Sequence, residues 1–505
     1  MPEPSWSAHV SRKIVRRIVV EGDLVLQTPA HFGNGDGNGL VSMPLLTDSL
    51  NERTPLLTGA SIAGALRSYV RERQHGFRAR IDPGADSSQS DSVLLFGGSK
   101  GNDAGEQSPL IVEDAYGRNA AIELRDGVHL AGASRTSVED ALFTVEMWQA
   151  GTVFPLRFEL VVRDGDEVSA LRRALATALA GFVDGSITVG ARKRRGYGQA
   201  RVEGWRVREY DLTDTKDLLA WIVSGAVALD GPCRADIVQA LGGSTTVDRR
   251  HMFCLKGRFS LEGSLLIRSG SRPENAQGAG RQQPEIIHLH SPRLAPINDG
   301  TREQVPVLSG TSFAGALRAR ALRIAQMLVR PTPEGRHAAH NLVECMFGND
   351  MNHLPPDVQP VASRITICES LVSKGENTLV QNRVGIDRFT GGARDGALFS
   401  QQPLFGCLQT RVVVDLRLAN PRECEIGLLL LVLKDLWTGD LPLGGEISVG
   451  RGRLQGRCCL LEVHDGLQHR WKLRARGATG LHVTGSQDLE HYVTQLHAHL
   501  DRSRP

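Results

Sequence analysis

Apolar and polar positions along the chain alternate between two periods. Residues 13–28 are dense in Ile and Val and read as a strand. From Ser61 the apolar-polar run takes helical spacing, with the Ser61 hydroxyl placed to cap the first free backbone N–H groups. Residues 109–114 read as a short strand, and 142–148 with 153–162, flanking Ala-Gly-Thr, as a hairpin. Val168, Leu171, Leu175, Leu179 and Phe182 then fall at helical intervals, and 187–189 opens a last strand. This β-α-β-β-α-β order is the ferredoxin-like (RRM-like) plan.

The same pattern returns in the second half. PLLTGASIAGALR from Pro55 recurs as PVLSGTSFAGALR from Pro306, with nine of thirteen positions identical. Phe96-Gly97 recurs as Phe347-Gly348, SPLIVEDA from Ser108 as SRITICES from Ser363, and Ala141-Leu142-Phe143 as Ala397-Leu398-Phe399. SITVGARKRRGYG from Ser186 parallels EISVGRGRLQG from Glu446. Five landmarks in one order mark a duplication. The second copy then has strands at 253–267, 365–368, 397–416 and 447–460, and helices at 312–328 and 423–436. The expected fold class is α+β: two tandem ferredoxin-like domains with inserted loops and thumb hairpins. The first domain spans 1–211, a helical linker 212–249 and the second domain 250–470. A C-terminal extension, 471–505, carries an amphipathic helix with Leu489, Tyr492, Val493, Leu496 and Leu500.

Composition narrows the function less than the repeat does. Of 505 residues 41% are hydrophobic, ample for packed cores. The net charge of +3 means that any case for nucleic acid must come from local clusters. The longest apolar run, 426–433, is too short to span a membrane. The N-terminal residues lack the apolar core of a signal peptide, so a cytoplasmic location without membrane contact is expected. The eight cysteines contain no CxxC pair, and no metal site is read from them.

Four segments carry candidate chemistry. The loop VGARKRRGYG from Val189 sets Arg192, Lys193, Arg194 and Arg195 among glycines, which suits a phosphate chain, and Tyr197 could stack on a base. Its expected echo in the second copy supplies Arg451, Arg453 and Arg457. The helix starts at Ser61 and Ser312, with Arg67 and Arg318 two turns on, are candidate anion sites. RVGIDRFTGGARDGALF from Arg383 reads as a protruding hairpin with Arg383, Arg388 and Arg394; the first copy's counterpart, 135–143 with Arg135, is shorter. Long loops follow each first strand: HFGNGDGNG from His31, containing Asp36, and 269–281 followed by His288 and His290. Asp36 could orient a metal-bound water or an RNA 2′-hydroxyl, and the histidines could ligate metal or move protons.

The repeated Gly-Ala-Leu-Arg helix motif, the Phe-Gly pairs, the 383–399 motif and the terminal Gly/Arg loop together resemble the RAMP superfamily. More narrowly they are similar to backbone subunits of type III CRISPR–Cas effector complexes, and two such domains in one chain look most like subtype III-D. The resemblance implies a scaffold that binds CRISPR guide RNA, holds target RNA and other effector subunits in antiviral defense, and displaces nucleotides with a thumb hairpin. Residues 383–399 would be the second thumb and 135–143 a reduced first one. The family's catalytic Asp position is occupied by Ser42 in the first copy and His290 in the second. Metal-dependent cleavage of guide-paired RNA, with Mg or Mn and with Asp36 or His290 in the catalytic role, is therefore the alternative to binding alone. Processing of guide precursors is a third reading.

Overall fold

The run IVRRIVVEGDLVL supplies two faces, and Ile18, Val20, Leu24 and Leu26 are all buried on one of them. In the computed structural model, which describes residues 13–35, 44–79, 90–98, 107–130, 137–225, 227–269, 284–295, 301–349, 359–477, 480–485 and 488–502, this strand lies inside a four-stranded sheet. Across that sheet the strands run Leu110–Val112, Val153–Arg163, Ile14–Leu26 and Ala200–Asp211, every neighbouring pair antiparallel. The helices Gly59–His75 and Val168–Val183 bring Leu66, Val70, Leu175, Leu179 and Phe182 into the same core as the strand residues.

The second copy repeats the order. Strands Ile365–Ile367 and Ser370–Ser373 pair with Arg411–Ala419, then Met252–Glu262 and Arg453–His464 follow across the sheet. Helices Gly310–Leu328 and Glu423–Trp437 cover this sheet and share its core. Two strands, Gln468–Arg476 and Gly480–Gly485, extend the sheet beyond Arg453–His464. The helix Glu490–Arg502 then packs Tyr492, Leu496 and Leu500 into the second core. Within 212–249 the helices are Thr215–Ser224 and Ile237–Ala240, and Ile237 and Leu241 belong to the first core.

Several local expectations change. Thr58 and Ser309, not Ser61 and Ser312, cap the repeated helices, because a capping oxygen accepts from the N–H three residues on, here that of Ser61 or Ser312. Strands 142–148 and 153–162 do not pair with each other. Ser137–Trp148 pairs instead with Ile122–Leu130, a strand that the pattern of apolar positions does not reveal, while Val153–Arg163 pairs with Ile14–Leu26. The first copy's hairpin is therefore a long one, not a reduced one. Residues 187–189 and 447–449 are not strand: the last strands begin at Ala200 and Arg453, after a glycine turn. The stretch 397–416 is broken into Ala393–Gln402, Leu404–Phe405 and Arg411–Ala419.

The copies meet through a buried charge cluster. Arg125 of the first hairpin lies 2.6 Å from Glu123 and 3.1 Å from Glu369 of the second copy, and Arg293 also pairs with Glu369. The fully buried Ser291 donates to Glu123 at 3.1 Å. Burial pushes the Glu123 carboxyl up, against the pull of Arg125; the two carboxylates hold Arg125 above its ordinary value despite its burial. Replacing Glu369 by Ala leaves Arg293 without its carboxylate and two guanidiniums sharing Glu123 as the one remaining negative charge of the cluster. A loss of about 3–5 kcal/mol is expected, read as a lower urea midpoint at unchanged slope. A loss near zero would mean that water already reaches these charges.

Candidate nucleic-acid interface

The glycine loop is built the same way in both copies. Val189 and Gly198 close its base, as do Leu443 and Gly452: the N–H of the first residue donates to the carbonyl of the second at 2.9 Å in each pair. The N–H groups of Ala191 and Gly445 donate to the His31 and Leu266 carbonyls, both at 2.8 Å. Arg192 and Glu446 both take left-handed backbone, with φ of 54° and 57°, and each leads into one 3-10 turn, Lys193–Arg195 or Ile447–Val449. At Gly198 a Cβ would stand 1.8 Å from the Val189 carbonyl oxygen, and at Gly452 1.9 Å from that of Leu443, so no side chain fits.

This geometry corrects the alignment of the two loops by six residues. The counterpart of Arg192, Lys193, Arg194 and Arg195 is Glu446, Ile447, Ser448 and Val449, which carries no cation. Arg451 corresponds to Tyr197, and both are buried. Tyr197 packs with Val145 and Met147 at the base of the first hairpin, so its ring is not an exposed stacking platform. Arg451 donates to Gln381 at 2.7 Å and Gln401 at 3.0 Å at the base of the second hairpin. Its charge is spent on positioning that hairpin, with Glu446 at 3.3 Å holding both Arg451 and Arg383. Arg453 is exposed at the start of its strand.

The first copy's cations do not stand on an open loop. Arg194 donates to Thr366 of the second copy at 2.9 Å, and the Arg195 carbonyl lies against Gly310, where a Cβ would come within 2.1 Å. Arg192 stacks over Phe143 at 4.6 Å. Burial lowers the pKa of Lys193, Arg194 and Arg195, against the pull of Glu72 at Arg194, and neighbouring cations add to the lowering: Arg194 on Lys193, Arg78 on Arg194, Arg318 on Arg195. Crowded, partly desolvated cations favour an anionic neighbour.

Beside them runs a groove of about 630 Å³ between the two copies. Its walls include Thr58 and Ser61 from the first helix start, Lys193 and Arg194, and Arg250 and Arg417. Arg250 is held by Asp248 at 2.6 Å and lies over the Tyr69 ring. Sequence patterning pointed to neither Arg250 nor Arg417, because each becomes part of a site only where the copies face each other. Arg67 is turned away to the Gly97 carbonyl, 3.1 Å off, where it ties two helices together. Arg318 is half-buried beside Arg195, and Ser312 is exposed.

Both hairpins carry a cross-strand apolar pair on an exposed face at the same height above the base: Val128 opposite Leu142, and Val384 opposite Leu398. Arg388 and Arg394 are exposed near the second hairpin's tip, where Phe389 is 99% exposed. Asp36, Ser42 and Arg135 lie outside the described residues.

His290 starts the strand His290–Leu294, with Nδ1 2.8 Å from the His288 carbonyl and Nε2 3.0 Å from the Asn377 amide. Among the described residues no group of three His, Cys, Asp or Glu side chains could hold a metal ion. His288 is fully buried and its Nδ1 accepts from the Ile267 N–H at 3.2 Å. Burial, reinforced by His290, pushes the His288 imidazole down to about 3. An unfolded chain binds a proton there below the ordinary 6.5 that the folded chain refuses. This contribution to stability is present above pH 6.5 and is lost as pH falls toward 3, with a slope of about 1.4 kcal/mol per pH unit. His288→Asn, which keeps an acceptor, is expected to flatten the urea-measured pH slope by about one proton; an unchanged slope would place the acid sensitivity elsewhere.

No curated protein matches the chain. The family model of the RAMP superfamily matches it twice, over residues 23–201 and 259–455. Those two regions contain the two capped helices and both glycine loops. With a duplicated fold and a duplicated match that together cover most of its length, the chain belongs to the RAMP superfamily, which includes CRISPR-associated proteins.

Proposed function

We propose that this chain is a guide-RNA-binding backbone subunit of a type III CRISPR–Cas interference complex, of the tandem kind seen in subtype III-D. Each copy is read as a ferredoxin-like domain, 1–211 and 250–470, with 212–249 joining them and 471–505 completing the second. The observation that carries this reading is the groove between the copies, whose lining includes a helix start, the exposed Lys193 and the half-buried Arg194. A strand of phosphates would neutralise Lys193 and Arg194 and gain from both. The hairpins, each anchored at its base and apolar on one exposed face, fit the role of thumbs that part neighbouring bases. Target RNA would then lie across the hairpins, with other effector subunits at the ends of the chain, in the cytoplasm.

Binding, not cleavage, is the activity proposed. Both His290 nitrogens are engaged by protein groups, and burial lowers its pKa, so it is a poor proton carrier at neutral pH.

RNA recovered with the protein from its host is expected to be short, uniform in length and to share one repeat-derived end. Heterogeneous RNA would return the function to general RNA binding. In vitro, Lys193→Ala with Arg194→Ala is expected to weaken single-stranded RNA binding. The slope of log K against log salt should fall by about 1.4, about 0.7 for each phosphate neutralised. An unchanged slope would take the groove off the RNA path.

A further inference from the structure

We propose that His31 reads the sugar of the bound strand: its Nε2 accepts a hydrogen bond from one ribose 2′-hydroxyl, so that one nucleotide in the groove is recognised as RNA. The inference rests on the RNA-binding reading above and deepens it at a single position.

His31 is 1% exposed, and its ring is oriented by a 2.8 Å hydrogen bond between Nδ1 and the Glu146 carbonyl. A carbonyl only accepts, so Nδ1 carries the proton and Nε2 of the neutral ring presents a lone pair. Nε2 is buried and has no hydrogen-bond partner among the described residues. A buried acceptor left unpaired is a cost to the folded chain that a ligand donor would remove. The space beside it is kept open by Gly33, where a Cβ would stand 3.0 Å from Nε2. His31, Phe32 and Gly33 line the same groove as Ser61, Lys193 and Arg194.

The fold does not require a histidine here. The second copy makes the equivalent backbone hydrogen bond, from Gly445 to the residue 266 carbonyl, with Leu266 in that place. The chemistry of the site also restricts what Nε2 can take. Phosphate oxygens offer no donor at neutral pH and are served by the nearby cations; the adjoining donor on an RNA backbone is the 2′-hydroxyl, which DNA lacks.

The test uses the full chain and a single-stranded RNA oligonucleotide in which each ribose in turn is replaced by 2′-deoxyribose. One position is expected to lose about five- to tenfold in affinity for the unaltered chain, the factor that one uncharged hydrogen bond supports. His31→Leu, which introduces the residue type that the second copy has in this place, should bind all-ribose RNA more weakly by that same factor and be indifferent to the deoxy change at that position. Gly33→Ala should do the same by covering Nε2. It decides the matter if His31→Leu fails to fold, since the atoms its methyl would meet are those of the His31 ring and, at 4.0 Å, the Pro44 carbonyl oxygen. RNA that binds with no deoxy-sensitive position, or a sensitive position that stays sensitive in both variants, overturns the inference and leaves RNA binding standing. An unaltered chain that binds no RNA overturns both.

Discussion

Two carboxylates and two guanidiniums, buried between the copies, set the geometry on which everything else depends. Arg125 and Glu123 come from the first hairpin, Arg293 and Glu369 from the second copy, and the cluster is neutral as a set. Desolvating four charges is costly, and the cost is offset only when all four partners are in register. The cluster therefore penalises any sliding or rotation of one copy on the other. Around it, smaller contacts extend the same register: Gln199 to the Cys368 thiol at 2.8 Å and Arg302 to the Ala150 carbonyl at 2.9 Å. A groove formed by both copies needs this, because a cavity between two bodies is no better defined than their relative position.

The duplicated glycine loop shows how one backbone can serve two ends. Left-handed residues at 192 and 446, glycines at 198 and 452 and the shared carbonyl hydrogen bonds hold the path constant. Side chains then differ freely. In the first copy the turn is cationic and is packed against the second copy, close to the helix start at Gly310. In the second copy Ile447 and Val449 are exposed in the same turn. The central residue of each Gly-x-Gly, Tyr197 or Arg451, is buried under its own hairpin, by apolar packing in one case and by hydrogen bonds to two glutamines in the other. Loop and hairpin are thus a single mechanical unit in each copy, and a change at either residue acts on the hairpin before it acts on any ligand.

Much of the fold was legible in the chain, because strand and helix periods and a repeated thirteen-residue motif are local features. The order of strands and helices, the two copies and the C-terminal amphipathic helix all follow from such features. The strand 122–130 escaped, since its apolar positions, Ile122, Leu124, Val128 and Leu130, face outward and it pairs far from the core where patterning is strongest. The helix caps were displaced by three residues because Thr58 and Ser61, like Ser309 and Ser312, offer two hydroxyls three positions apart, and only the backbone conformation decides which of them accepts.

For the site, the sequence by itself determined the cations at 192–195, the glycines around them and the hairpin at 383–399. Only the tertiary structure decided which of these face a ligand. A run of four basic residues says nothing about direction, and here a 3-10 turn sends Arg192 onto Phe143, Arg194 to Thr366 and Arg195 toward Arg318. Arg451 and Tyr197 looked like ligand residues because their neighbours are glycines, yet the turn that needs those glycines points both side chains inward. Arg250, Arg417 and the His31 nitrogen that has no partner among the described residues acquire meaning only from surfaces far apart in the chain. Such juxtapositions depend on how two folded copies pack, and no local period encodes that.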